Sequence, residues 1–213
     1  KLFNQWNKFI QYTNNGTLFH NQQFLNYHID RSFVDCSLVF YKAGKIIALL
    51  PGAVQIINHK KIFYSHPGAS YGGIILKQNL NFETINNIFG ALDVFCVDNN
   101  FDSIVLINVP TIYYHSYDES LNYLLFWNNY VIKEQYISHI TDLSITQDMK
   151  NLLTKRKQRY INNSSDFKQF QFEESDKFEE FYNLLTILKK KYNTRPTHFL
   201  NELKKIKKLF PKK

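Results

Sequence analysis

The chain has 213 residues, 44% of them hydrophobic and 16% aromatic, which supplies enough apolar side chain for one large domain or two small ones and excludes an intrinsically disordered segment. Its 26 Lys and Arg against 18 Asp and Glu give a formal charge of +8, which favours an anionic partner such as phosphate, nucleotide, nucleic acid or an acidic membrane surface, although a solvated basic surface accounts for it equally. No apolar run approaches the roughly 18 residues of a bilayer span and no signal-peptide pattern opens the chain, so a cytoplasmic location is expected; Lys1 in place of methionine leaves room for a missing start or a removed targeting segment.

Leu2, Trp6, Phe9 and Ile10 recur at helical spacing, and Asn14-Asn15-Gly16 is expected to stop that helix with residues that tolerate left-handed geometry. A shorter helix through Phe24, Leu25 and Tyr27 follows. "CSLVFYKAGKIIALLPG" reads as strand, tight turn at Lys42-Ala43-Gly44-Lys45, and strand ended by Pro51-Gly52; "AVQIINHKKIFYS" reads as a second pair around Asn58-His59. Ile85, Ile88, Phe89, Leu92 and Phe95 predict a helix from Phe82 to about Asn99, and "SIVLINV" a buried strand. Asp118 to Asn129 is expected to be helical with Ser116 or Asp118 as its cap, and "EQYISHITDLSI" to be a strand. A basic helix, "DMKNLLTKRKQRYIN", then precedes a short strand "KQFQF", a helix through Phe178, Phe181, Tyr182, Leu185 and Leu188, a break at "NTRPT", and a last helix through Phe199, Leu203, Ile206 and Phe210. This order predicts an α/β fold with a mixed central sheet and flanking helices. Cys36 and Cys96 sit in apolar surroundings, far apart and without CxxC or histidine partners, and read as reduced core thiols.

Six strings, "NGTLFHNQQFLNYH", "DCSLVFYKAGKIIALLPG", "SHPGASYGGIIL", "VPTIYYHSYDESLNYLLF", "LTKRKQRYINN" and "RPTHFLNELKKIKKLFP", together resemble the FemAB-like branch of the GNAT acyltransferases. The resemblance implies a first GNAT-like lobe at residues 1–145, a basic connecting helix at 146–166, and the incomplete start of a second lobe at 167–213. It implies transfer of an acyl or aminoacyl group, from acyl-CoA or aminoacyl-tRNA, to an amine of a nucleotide-linked sugar or of a cell-envelope precursor such as that of peptidoglycan. The chain would then be a fragment, inactive alone, because the donor pocket belongs to the second lobe. Tyr117 stands where related sequences carry proline, and the Gln/Arg-x-x-Gly-x-Gly/Ala turn that cradles a pyrophosphate is absent, so "HPGASYGG" is not assigned to coenzyme A. Two rival readings are a noncatalytic lobe that binds nucleotide-sugar or precursor, and an RNA-binding protein that lacks any RRM, KH or double-stranded RNA signature.

Candidate binding residues follow from the residues themselves. In the basic helix, Met149, Leu152, Leu153 and Tyr160 define an apolar stripe on which Arg156 falls, so Arg156 is expected to point inward with Arg159 a quarter turn away, both holding substrate phosphate; an internal salt bridge is the competing account. His66, Tyr71, Gly72 and Gly73 form a corner that is a candidate surface for close approach by a ligand, against turn hydrogen bonding for His66 and core packing for Tyr71. His115, Asp118 and Glu119 form a titratable group, with a helix cap as the simpler role of Asp118. His20, His28, His59, His139 and His198 follow no HExxH-like spacing, no metal is expected, and no catalytic base is assigned. Lys204, Lys205, Lys207 and Lys208 read as a solvated face.

Overall fold

The structure is a computed structural model that describes residues 2–29, 31, 33–137, 139–142, 144–145, 148–163 and 174–211. Its contacts gather the chain into two compact units, Lys1–Val131 with Leu185–Lys213, and Ile132–Leu184.

In the first unit, α1 (Leu2–Ile10) buries Trp6 and Phe9, and α2 (Gln22–Leu25) is started by Asn21, whose Oδ1 accepts from the Gln23 N–H. Both expected hairpins form. β2 (Leu38–Lys42) pairs antiparallel with β3 (Lys45–Leu50), and β4 (Gly52–Ile57) with β5 (Lys60–Ser65). Their turn residues, Ala43 and Gly44, then Asn58 and His59, all have positive φ, the geometry of two-residue loops whose twist matches that of the strands. β6 (Ile75–Leu76) extends the first hairpin into a three-stranded sheet of order β2-β3-β6. β1 (Val34–Asp35) and β7 (Ser103–Val105) flank the second in the order β1-β4-β5-β7, with β5 and β7 parallel and joined through α3 (Phe82–Asp98). α4 (Ser120–Trp127), and in the C-terminal segment α7 (Leu200–Leu209), complete this unit; α6 (Phe178–Lys190) runs across the boundary between the units.

The run "IIALL" in β3 is apolar at every position because helices cover both faces of its sheet. Ala48, Leu50 and Leu76 face a core with Ile85, Ile88, Phe89 and Leu92 of α3 and Leu121 and Leu124 of α4. The alternate residues Leu49 and Ile75 face Trp6 and Phe9 of α1. Burial of each large side chain here stabilises by about 1.5–3 kcal/mol.

Four expectations are corrected. Asn14 and Asn15 do not stop α1 through left-handed geometry: neither has positive φ, and both are buried. Asn15 Nδ2 donates to Ile74 O (2.7 Å) and its Oδ1 accepts from Leu76 N–H (2.9 Å), while Asn14 Oδ1 accepts from the N–H and hydroxyl of Ser116. The strand in "SIVLINV" ends at Val105, because Ile107 N–H turns to Ser65 Oγ (2.7 Å) and Ile107 O is taken by two other donors. α4 is shorter than expected; Asp118 Oδ1 does accept from Ser120 N–H (2.8 Å), at its start. The described residues of "EQYISHITDLSI" form no strand, and Tyr136 and Ile137 there are more than four-fifths exposed.

In the second unit the expected basic helix is two pieces. A 3-10 turn, Met149–Leu152, is capped by Asp148, and α5 (Lys155–Asn163) starts only after Leu153 takes extended backbone angles. Gln158 Nε2 ties the pieces together through Lys150 O and Leu153 O, both at 2.9 Å. "KQFQF" lies outside the described residues. α7 folds onto α2 and the loop after it within the first unit.

Candidate functional site

The N-terminus of α7 is held by the loop that follows α2. Lys205 Nζ donates to Asn26 O (3.2 Å), and Arg31 Nη2 donates to Thr197 O. At the centre of this contact lies Glu202, the only fully buried carboxylate among the described residues. Carboxylates are seldom buried without partners, and Glu202 has several. Its Oε2 accepts from Phe199 N–H (2.9 Å), the reach-back half of a capping box; its Oε1 accepts from Ile29 N–H (3.0 Å). Burial pushes its pKa up, but these two backbone donors outweigh that and hold it below the usual carboxylate range.

Two imidazoles flank the carboxylate. His28 Nδ1 lies 3.4 Å from Oε1 and His198 Nδ1 3.6 Å from Oε2, and the two rings stack at 5.9 Å. The His28 side chain is 2% exposed. Its Nε2 lies 3.1 Å from Gly68 O, an acceptor only, so Nε2 carries a proton, and in the neutral ring the lone pair is on Nδ1. That Nδ1 is buried without a hydrogen-bond partner. His198 Nδ1 shares a 3.1 Å hydrogen bond with the Tyr27 hydroxyl, whose pKa burial and the Glu202 charge push up to about 12.

A cavity of about 170 Å³ opens beside His28, lined also by Gln22, Arg31, Phe33, Asp35 and His66. His66 Nδ1 accepts from Gly68 N–H (3.3 Å), which places its proton on Nε2. Burial, opposed by Asp35, lowers the His66 pKa to about 4, so the ring is neutral at physiological pH. Asp35 is exposed and accepts from the Ser37 hydroxyl (2.6 Å).

Of the six expected binding residues, the structure brings His66 alone to this cavity. Tyr71 packs edge-on against Phe19 (5.4 Å) and beside Tyr113. Gly72 and Gly73 are buried, and both their N–H groups donate to Ile107 O (2.9 and 3.1 Å), so their backbone has no donor left for a ligand. A Cβ on Gly72 would meet the Ser65–His66 backbone at 2.9 Å: the close approach anticipated at this corner is by the chain itself. Arg156 does not point inward. The break at Leu153 resets the helical phase, the half-buried positions of α5 become Gln158 and Ile161, and Arg156, Arg159 and Tyr160 are exposed. The cation lining the cavity is Arg31.

Sequence reasoning missed His28, His198 and Glu202 because their spacing matches no single metal or catalytic motif. One local signal was legible: His198 and Glu202 are four apart, and Glu202 stands at the third position of a helix that follows a proline break, where a side chain folds back on the helix start. Nothing in the sequence places His28 opposite them.

No protein-family model matches the chain, and no curated protein matches it. Among solved structures, a crystal structure of a point mutant of a Thermus thermophilus protein is similar over 51% of this chain and 72% of its own, at 6% identity and a TM-score of 0.35. A likeness of that size assigns neither fold family nor activity. Among the described residues no helix is long and apolar enough to cross a membrane.

Proposed function

We propose that the chain is part of an amine-acylating enzyme of the FemAB-like GNAT kind, moving an acyl or aminoacyl group from acyl-CoA or aminoacyl-tRNA to an amine on a nucleotide-linked sugar or cell-envelope precursor. One observation carries this reading. Four of the six strings behind the resemblance, up to about 175 residues apart, converge on one small region: His28 from the first, Asp35 from the second and His66 from the third line the cavity, and His198 and Glu202 from the last lie directly behind His28. Strings that served packing alone would be spread through the core.

The groups suit an amine acceptor. Asp35 offers a carboxylate for the ammonium, Arg31 a fork for phosphate, and neutral His66 an Nε2–H for a carbonyl or hydroxyl oxygen. A cavity of about 170 Å³ is small beside the roughly 300–1,000 Å³ of typical ligand pockets, and admits the amine-bearing end of such an acceptor rather than all of it. In the transfer, the deprotonated amine attacks the acyl carbon and a C–N bond forms. The donor's C–S or C–O bond then breaks, a base takes the amine proton, and the leaving thiolate or alkoxide is protonated.

Calorimetric titration of UDP-glucosamine, acetyl-CoA and bulk tRNA tests this. UDP-glucosamine is expected to bind more tightly than UDP-glucose, with Asp35→Asn and His66→Ala each weakening it about tenfold. Binding of tRNA alone, falling steeply with salt, replaces the reading with an RNA-binding one. UDP-glucosamine binding that neither substitution affects, or its absence together with that of acetyl-CoA, refutes it.

A further inference from the structure

We infer that Nδ1 of His28, Nδ1 of His198 and the Glu202 carboxylate form a site for a divalent cation of the Zn²⁺ type. The inference uses the geometry of the first unit alone and stands whether or not the cavity takes an acyl acceptor.

The donor set comes first. The ligand atoms of the three residues all lie within 4.8 Å of one another. Tetrahedral Zn²⁺ with nitrogen and oxygen ligands at about 2.0–2.2 Å keeps neighbouring donors about 3.3–3.6 Å apart. The carboxylate-to-imidazole separations here are 3.4 and 3.6 Å. Each imidazole thus faces a different oxygen of the carboxylate, at a separation an ion bound between them spans and longer than the roughly 2.9 Å of a direct hydrogen bond.

Charge supplies the second reason. In the neutral ring, with the His28 proton held on Nε2 by Gly68 O, a buried lone pair on Nδ1 faces a buried anionic oxygen 3.4 Å away. Two lone pairs opposed at that distance repel, and in a low-dielectric setting the repulsion is barely screened. A cation converts it into two bonds, and at His198 the ion takes the single Nδ1 lone pair in place of the Tyr27 hydroxyl. The Glu202 oxygens each accept one backbone N–H, which leaves a lone pair on each for the ion.

The surroundings agree as well. A ligating histidine characteristically donates its other ring N–H to a carbonyl or carboxylate, fixing the tautomer and the ring; His28 does this to Gly68 O. Gly68 belongs to the glycine corner, which gives that segment a role in aiming a ligand. Two neutral imidazoles and one carboxylate leave a bound divalent ion with net positive charge and an open fourth position, where a water or an anionic ligand can bind.

The test uses the whole chain, freed of metal with a chelator. ZnCl₂ is titrated by calorimetry and CoCl₂ by visible absorption. One Zn²⁺ per chain is expected, with the strong absorption of four-coordinate Co²⁺. His198→Ala, which changes a partly exposed side chain outside α7, and Glu202→Gln, which keeps an oxygen for one of the two backbone donors, are each expected to weaken Zn²⁺ by more than the roughly 10–100-fold that loss of an outer partner costs. His115→Ala, an exposed residue, is expected to change nothing. Folding of each variant is checked by circular dichroism before titration, and one folded variant of the two suffices. The inference is overturned if Zn²⁺ fails to bind stoichiometrically, or binds equally well to the folded variants; the charge facing Glu202 is then a second proton on an imidazole. Because no acceptor is present, failure here leaves the acyl-transfer reading where it was.

Discussion

Asn15→Ala gives the most direct measure of how the first unit is held together. Asn15 is 2% exposed, and its side-chain amide works as one rung of a ladder, donating to Ile74 O and accepting from Leu76 N–H. Ile74 and Leu76 are themselves buried. Alanine fits the space but leaves both backbone groups without partners. An unsatisfied buried donor or acceptor costs about 1–3 kcal/mol, so the pair amounts to about 2–6 kcal/mol, a large part of the roughly 5–15 kcal/mol by which a domain of this size is stable. Asn99→Ala serves as the control, since Asn99 is exposed and makes one amide bond to Phe95 O; it is expected to cost within about 0.5 kcal/mol. Urea unfolding followed by tryptophan fluorescence reports on this layer, because Trp6 is 3% exposed within it. The expected result is a lower midpoint with an unchanged slope. A loss below about 1 kcal/mol at constant slope would mean that water reaches Ile74 and Leu76, and that the amide is not what joins α1 to β6.

Two further outcomes follow from buried titratable groups. His20 is fully buried, with Trp6 Nε1–H donating to its carbonyl, and burial lowers its imidazole pKa from 6.5 to about 4. The unfolded chain binds this proton more readily, so stability is full above pH 6.5 and falls as pH drops toward 4, by about 3 kcal/mol for the difference between 6.5 and about 4. His20→Gln is expected to flatten that part of the pH–stability curve, and a curve of unchanged steepness would contradict the assignment. Burial, reinforced by Asp35, raises the Cys36 thiol to about 12, and burial, reinforced by Asp93, raises Cys96 to about 11. At pH 8 the thiolate fractions are about 10⁻⁴ and 10⁻³, so a thiol-reactive dye should label the native chain slowly and the urea-unfolded chain at once. Rapid native labelling of Cys36 would show that its surroundings open.

What the sequence alone determined is local. Both hairpins were legible because two-residue loops need positive φ and Ala43-Gly44 and Asn58-His59 tolerate it, and α1, α3, α6 and α7 were legible from their apolar spacing. The expected strand does not form among the described residues of 134–145, because a strand exists only with a partner, and the continuous basic helix breaks because a helical phase survives only if no residue leaves the helix, as Leu153 does. Arg156 lost its inward position to that single extended residue. Only tertiary structure decided that Asn14 and Asn15 are joints rather than stops, that Gly72 and Gly73 spend their donors on Ile107, and that His28 meets His198 and Glu202 across some 170 residues of chain. Spacing along a chain fixes which residues share a face of one element; which faces meet is set by burying all of them at once.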